Sequence, residues 1–182
     1  MSTDNEKRLA TSGLRLYGAS RRQAREPSVE KVTSRDGTSI AFDRVGAGPA
    51  VILVGGALQH RAFDPSTAEL ASMLGERLTV FHYDRRGRGE SGDTPPYAVE
   101  RELEDLDALM DAAGGAASLY GASSGANLAL KAAETGRPVR KLALWEPNFR
   151  VDDSRPPLPD DYVAQLEERV AAGRAVMRSS TS

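Results

Sequence analysis

Four short apolar runs limit what this chain can fold into. They are Ala50-Val51-Ile52-Leu53-Val54, Leu78-Thr79-Val80-Phe81, Ala117-Ser118-Leu119-Tyr120 and Lys141-Leu142-Ala143-Leu144-Trp145. Each has the length of a strand, and the first lacks any polar alternation, which suits a parallel strand buried on both faces. Segments of helical character lie between them. Asp64-Pro65 reads as an N-cap followed by proline at the first helical position. The helix it opens is expected to bury Leu70, Met73 and Leu74 and to stop at Gly75. A second helix carries Val99, Leu103, Leu106, Leu109 and Met110 on one stripe, with Glu100, Glu104, Asp105 and Asp107 read as a solvated face. A third, rich in small residues, runs from Ser124 to about Thr135 and is ended by Gly136 and Pro138.

Before the first apolar run, Val29 to Thr33 and Ser39 to Val45 flank Asp36-Gly37, a hairpin signal. Strands alternating with helices at short connections predict an α/β fold, a mostly parallel sheet covered by helices on both faces with an N-terminal antiparallel hairpin. A last helix is expected from about Asp160 to Ala172, with Val163, Leu166 and Val170 as its apolar stripe.

Composition excludes several kinds of chemistry. The 182 residues include no cysteine, so disulfides, thiolate nucleophiles and cysteine-held metals are ruled out. Only His60 and His82 could supply imidazole, which argues against a histidine-rich metal site. No metal and no cofactor are expected. A net charge of -2 creates no strong field, so neither nucleic acid nor a membrane surface is an expected partner. The oligomeric state is left open. No apolar run is long enough to cross a bilayer. Lys7 to Arg25 holds six basic residues and no acidic one, a composition shared with transit peptides. Its few scattered apolar residues favour a solvated extension instead, and the expected location is cytoplasmic.

Gly121-Ala122-Ser123-Ser124-Gly125 fits G-x-S-x-G, with an apolar strand leading in and a helix leading out. That context carries more than the five letters do. A nucleophilic serine must stand in a strained, exposed turn, and only small neighbours let strand and helix approach so closely. Ser123 is therefore the candidate nucleophile, with Gly121 and Gly125 as the elbow glycines. An oxyanion site needs two backbone N–H groups aimed at the developing charge. Ser124, after the nucleophile, is one candidate, and Ala57 in the Gly55-Gly56-Ala57 loop is the other.

The succession of strand, Gly-Gly loop, helix, strand, Tyr83-Asp84-Arg85-Arg86-Gly87-Arg88-Gly89-Glu90-Ser91, helix, strand and elbow resembles the α/β-hydrolase fold superfamily, over roughly Ser28 to Phe149. The resemblance implies a serine hydrolase of ester, amide or similar small apolar substrates, acting through an acyl-enzyme. It also implies a structural role for the Asp84–Ser91 loop, so Asp84, Arg86 and Ser91 are given no catalytic part. Trp145-Glu146-Pro147 resembles the segment at which a lid begins. The chain thus divides into a poorly ordered basic extension (1–27), the N-terminal part of the hydrolase core (28–150), and the start of a lid helix with a disordered tail (151–182). Gly87 to Gly92 also fits the dinucleotide pattern G-x-G-x-x-G, but Thr94-Pro95-Pro96 follows where that pattern needs a helix.

One part of the family pattern is absent. The family order is serine, acid, histidine, and no histidine follows Ser123. His60, past the Gly-Gly loop, is read as an exposed loop residue, His82 as a packed or edge one, and Glu146 as structural. The fold is thus expected to be incomplete and inactive as it stands. The chain is a fragment, is completed by another chain, or is a dead member that only binds. The first is favoured because the sequence stops within what resembles a lid. The alternative function is a non-enzymatic ligand-binding or interaction protein on a decayed hydrolase fold.

Overall fold

The computed structural model describes residues 29–149, 152 and 157–172. The expectations for 1–27 and for the tail beyond 172 lie outside them. The elements are β1 (Glu30–Thr33), β2 (Ser39–Val45), β3 (Ala50–Val54), α1 (Pro65–Leu74), β4 (Thr79–Tyr83), α2 (Val99–Ala112), β5 (Ala117–Ala122), α3 (Ser124–Glu134), β6 (Val139–Trp145) and α4 (Tyr162–Ala171). Six strands form one sheet in the order β1-β2-β4-β3-β5-β6. The β1–β2 and β2–β4 pairs are antiparallel, and β3–β4, β3–β5 and β5–β6 are parallel. The four apolar runs are therefore neighbours, and the hairpin adds the antiparallel edge, as the sequence predicts.

Why β3 is apolar throughout follows from where its side chains go. Successive strand residues point to opposite faces. Ile52 and Val54 join a cluster with Phe81, Leu103, Leu106, Leu109, Leu119 and Leu128 beneath α2 and α3. Val51 and Leu53 turn the other way and pack with Ala71 of α1 and Val80. Both faces are covered, so no position tolerates a polar residue. The α1 side is the thinner layer.

Several expectations are corrected. In α1 only Ala71 is buried, and Met73 is 65% exposed, because the helix lies over one thin layer and touches it along a narrow line. Val99 is exposed at the start of α2. The acidic face of α2 is not simply solvated. Asp105 is fully buried and holds Arg86 through two bonds, Nε to Oδ2 at 2.8 Å and Nη2 to Oδ1 at 2.7 Å. Glu104 and Asp107 pair with Arg101 and Arg137. Among the described residues the stripe of α4 covers nothing: Val163, Leu166 and Val170 are all exposed. At the end of the sheet, Leu142 and Leu144 pack partly on the core while Trp145 stays 60% exposed.

Candidate active site

Ser123 stands between β5 and α3 with φ 51° and ψ -121°, a conformation that L-residues rarely hold. It is the residue that caps α3, yet its side chain makes no capping bond. The hydroxyl therefore remains available, and the positive end of α3 lies beside it. Small residues on both sides make this turn possible. A Cβ on Gly125 would lie 2.1 Å from the Val54 carbonyl oxygen, and one on Gly121 would lie 2.6 Å from the Ala126 Cα. Neither position can hold any other residue unless backbone moves. The elbow is pinned from behind, where Ser123 N–H donates to the Trp145 carbonyl at 2.8 Å.

The Gly55-Gly56 loop lies against this turn. A Cβ on Gly56 would come within 3.4 Å of both the Ser123 Cβ and the Ala122 carbonyl oxygen. Gly56 N–H is already committed, donating to Gln59 Oε1 at 2.5 Å. Ala57 N–H and Ser124 N–H find no acceptor among the described residues. These are the two donors that the sequence singles out.

Behind the site the Asp84–Ser91 segment forms a charged network. Asp84 accepts from the N–H groups of Arg61 and Glu90, and Ser91 Oγ donates to the Asp84 carbonyl while accepting from Ala41 N–H. Arg86 holds Asp105 and Asp36, and the Arg86 contact keeps the Asp36 carboxyl below its usual range. These contacts fit the structural roles expected of Asp84, Arg86 and Ser91. Arg85 pairs with Glu102 through two bonds, at 2.5 and 2.6 Å, with both side chains buried. Burial raises the Glu102 pKa, but the bonds from Arg85 and Tyr97 outweigh it and hold the group below its ordinary value. The same Arg85 reaches forward through Nη1 to the Gly55 carbonyl at 3.2 Å and to Ser124 Oγ at 3.1 Å.

The side-chain partner of Ser123 is an amide. Asn148 lies beyond β6, with Nδ2 at 3.3 Å and Oδ1 at 3.5 Å from Ser123 Oγ, and its own N–H donates to Asn127 Oδ1. No imidazole or carboxylate bonds to Ser123 Oγ among the described residues. His82 is buried within β4, opposite Asp43 of β2 and Leu53 of β3, so it is a packed residue. His60 is not the exposed loop residue expected: its ring is half-buried, stacks on Phe63 at 5.7 Å, and holds a buried Nδ1 without a hydrogen-bond partner among the described residues. Glu146 follows β6 with φ 48°.

Sequence reasoning missed Asn148, Gln59, Arg85, Arg88 and Glu102. Glu102 had a signal. Positions 102, 105, 106 and 109 share one helical face, so Glu102 and Asp105 stand on the apolar stripe of α2 and must be paired there. Asn148 had none, being fixed by the path of the chain after β6.

No metal-binding cluster occurs among the described residues, and no helix among them is long and apolar enough to cross a membrane. A comparison with the curated proteins returned no match. Among solved structures, an α/β hydrolase from Sphaerobacter thermophilus DSM 20745 is 59% identical with a TM-score of 0.73, over 80% of this chain and 55% of that one. The bottromycin epimerase BotH, solved in complex with bottromycin A2, is 30% identical with a TM-score of 0.63, over 79% and 56% of the two chains. An esterase from Exiguobacterium antarcticum, at 24% identity and a TM-score of 0.64 over 81% and 57%, shares the fold. The chain thus spans little more than half the length of these relatives. The model of the alpha/beta hydrolase family matches residues 50–180, from β3 through the elbow and beyond, and on that match the chain belongs to the α/β-hydrolase family.

Proposed function

We propose that this chain carries the nucleophile and oxyanion half of a serine hydrolase acting on esters, amides or similar small apolar substrates. The observation that carries the reading is the Ser123 turn, strained at φ 51° between β5 and α3, with the Gly-Gly loop against it. In the reaction, Ser123 Oγ attacks the substrate carbonyl carbon. The carbonyl oxygen becomes an oxyanion facing the N–H groups of Ala57 and Ser124. The oxyanion then collapses, the bond to the leaving group breaks, and the acyl group remains on Ser123 until water removes it. The serine proton must go to a base, and the leaving group must receive one. Among the described residues that base is not in contact with Ser123, so the acid and histidine are assigned to the part of the family fold that this chain does not span. A substrate small and apolar in character fits the family likeness, and the cytoplasm is kept as the proposed location.

A second reading is favoured by one observation. The Ser123 hydroxyl rests against the Asn148 amide, which cannot take its proton, as in a protein that binds a ligand at this turn without cleaving it. The two are separated by treating the chain, fused to the remaining C-terminal portion of the Sphaerobacter thermophilus relative so that a base is present, with a fluorophosphonate, which forms a stable adduct on reactive serines. Peptide mapping is expected to find the adduct on Ser123 and to lose it in Ser123→Ala. Labelling spread over several serines, unchanged in that variant, would favour the binding reading.

A further inference from the structure

Arg88 differs from the arginines around it. Arg61, Arg85 and Arg86 each hold carboxylates, whereas Arg88 makes no ion pair among the described residues. Its guanidinium instead donates from Nη1 to the Gly56 carbonyl at 2.7 Å. Burial and the neighbouring charge of Arg85 both act against its proton, so it occupies this post at some electrostatic cost. Across the loop, the Gly55 carbonyl is held by Arg85 and Gly56 N–H by Gln59. The loop therefore has a guanidinium on each of two consecutive carbonyls.

A carbonyl fixed in place fixes more than its oxygen. The peptide unit is planar and trans, so the C=O of one residue and the N–H of the next point in opposite directions within one plane. The Gly56 carbonyl belongs to the same unit as Ala57 N–H. Gly55-Gly56 has no side chains to set its dihedrals, and glycine moves freely among conformations other residues avoid. Without an anchor, that unit is free to rotate. The backbone bond from Gln59 N–H to the Gly56 carbonyl is long, at 3.4 Å. The charge-assisted bond from Arg88 is the stronger constraint.

We propose that Arg88 is a positioning residue for the oxyanion site: by holding the Gly56 carbonyl it fixes the Gly56–Ala57 peptide plane and aims Ala57 N–H over Ser123. This rests on the reading of Ser123 as the nucleophile. Arg88 touches no substrate and acts only through the peptide unit. Lysine at the same place can still donate to the carbonyl, though from one flexible point, whereas methionine fills the space and donates nothing.

The test uses the full chain fused to the remaining C-terminal portion of the Sphaerobacter thermophilus relative, which supplies the acid and histidine, and two aryl phosphonate probes, one with a P=O group and one with P=S. An N–H aimed at the phosphoryl oxygen accelerates the oxygen probe more than the sulfur probe, since sulfur is the weaker acceptor. In Arg88→Met, adduct formation on Ser123 by the oxygen probe should slow about 10- to 100-fold, somewhat less than the loss of a whole oxyanion donor. The sulfur probe should slow much less, and Arg88→Lys should recover part of the loss. Equal slowing of both probes, in proportion to a lowered thermal midpoint, would overturn the proposal and leave Arg88 a stabilising residue only. If the unaltered fusion folds but gives no adduct on Ser123, the nucleophile reading fails first. A crystal structure of Arg88→Met then decides the positioning claim: a rotated or multiply placed Gly56–Ala57 peptide is expected, and an unmoved one refutes it.

Discussion

Ser123 N–H donates to the carbonyl of Trp145 at 2.8 Å, so the elbow hangs from the end of the last strand in the sheet. The nucleophile turn is thus tied to β6, whose outer edge has no neighbouring strand among the described residues. Order at the candidate site and order at the sheet edge are linked by this bond.

The strain at Ser123 has a measurable signature. Positive φ in a residue with a Cβ costs about 1–3 kcal/mol. Ser123→Gly releases that strain and Ser123→Ala keeps it. In denaturant unfolding, Ser123→Gly should be more stable than Ser123→Ala by about 1 kcal/mol. Equal stabilities would mean that the turn is not strained.

Glu102 and Arg85 form a pair that tolerates joint loss better than single loss. Glu102→Leu leaves a buried guanidinium without its carboxylate and should cost about 3–5 kcal/mol. Adding Arg85→Met to that variant should recover most of this, since an apolar pair of similar volume needs no compensation. A double variant as unstable as the single one would contradict the account.

Burial draws His82 below the ordinary imidazole value of 6.5, against the opposing pull of Asp43 and Asp84. Arg61 adds to the lowering, and Asp64 opposes it. The unfolded chain therefore binds a proton that the folded chain refuses over a window just below 6.5. There the folded state loses stability as pH falls. Asp64, itself held below the usual carboxylate range despite burial, loses its contribution only at more acidic pH. The thermal midpoint should drop between about pH 7 and 5, and His82→Gln should flatten that dependence. A midpoint that falls equally in the variant would assign the effect elsewhere.

These features were unequally legible in the sequence. The strands, their adjacency and the elbow could be read because each rests on a local pattern: β3 is apolar because both faces are covered, and Ser123 has small neighbours because strand and helix nearly touch. The apolar stripe of α2 is legible for Leu103, Leu106 and Leu109, yet the acids beside it read as a solvated face. Helical spacing puts Asp105 on the stripe but does not name its partner, Arg86, nineteen positions earlier in the chain. Met73 and the α4 stripe failed in the opposite sense. Their periodicity is correct, but periodicity says which side of a helix is apolar and not whether anything covers it. Arg88 and Asn148 were invisible for a related reason, since their partners are set by the path of loops.

The open side of β6 predicts self-association. An uncovered strand edge templates pairing with other chains, and Trp145 and the α4 stripe add exposed apolar surface. Leaving a few hundred Å² uncovered forgoes several kcal/mol at roughly 25 cal/mol per Å², a large part of a domain's net 5–15 kcal/mol. Light scattering of the chain alone should show oligomers or aggregates, reduced in Ala143→Lys. A sharp monomer peak for the unaltered chain would contradict this.

The central claim is that Ser123, Ala57 and Ser124 supply nucleophile and oxyanion donors that lack only an acid and a histidine. It is tested most directly by hydrolysis of p-nitrophenyl butyrate, for the chain alone and for a fusion that adds the remaining C-terminal portion of the Sphaerobacter thermophilus relative. The account predicts no Ser123-dependent turnover from the chain alone. It predicts turnover from the folded fusion that Ser123→Ala lowers by at least about a thousandfold. A fusion that folds cooperatively but hydrolyses nothing, or hydrolyses equally well without Ser123, would contradict the account, as would Ser123-dependent turnover by the chain alone.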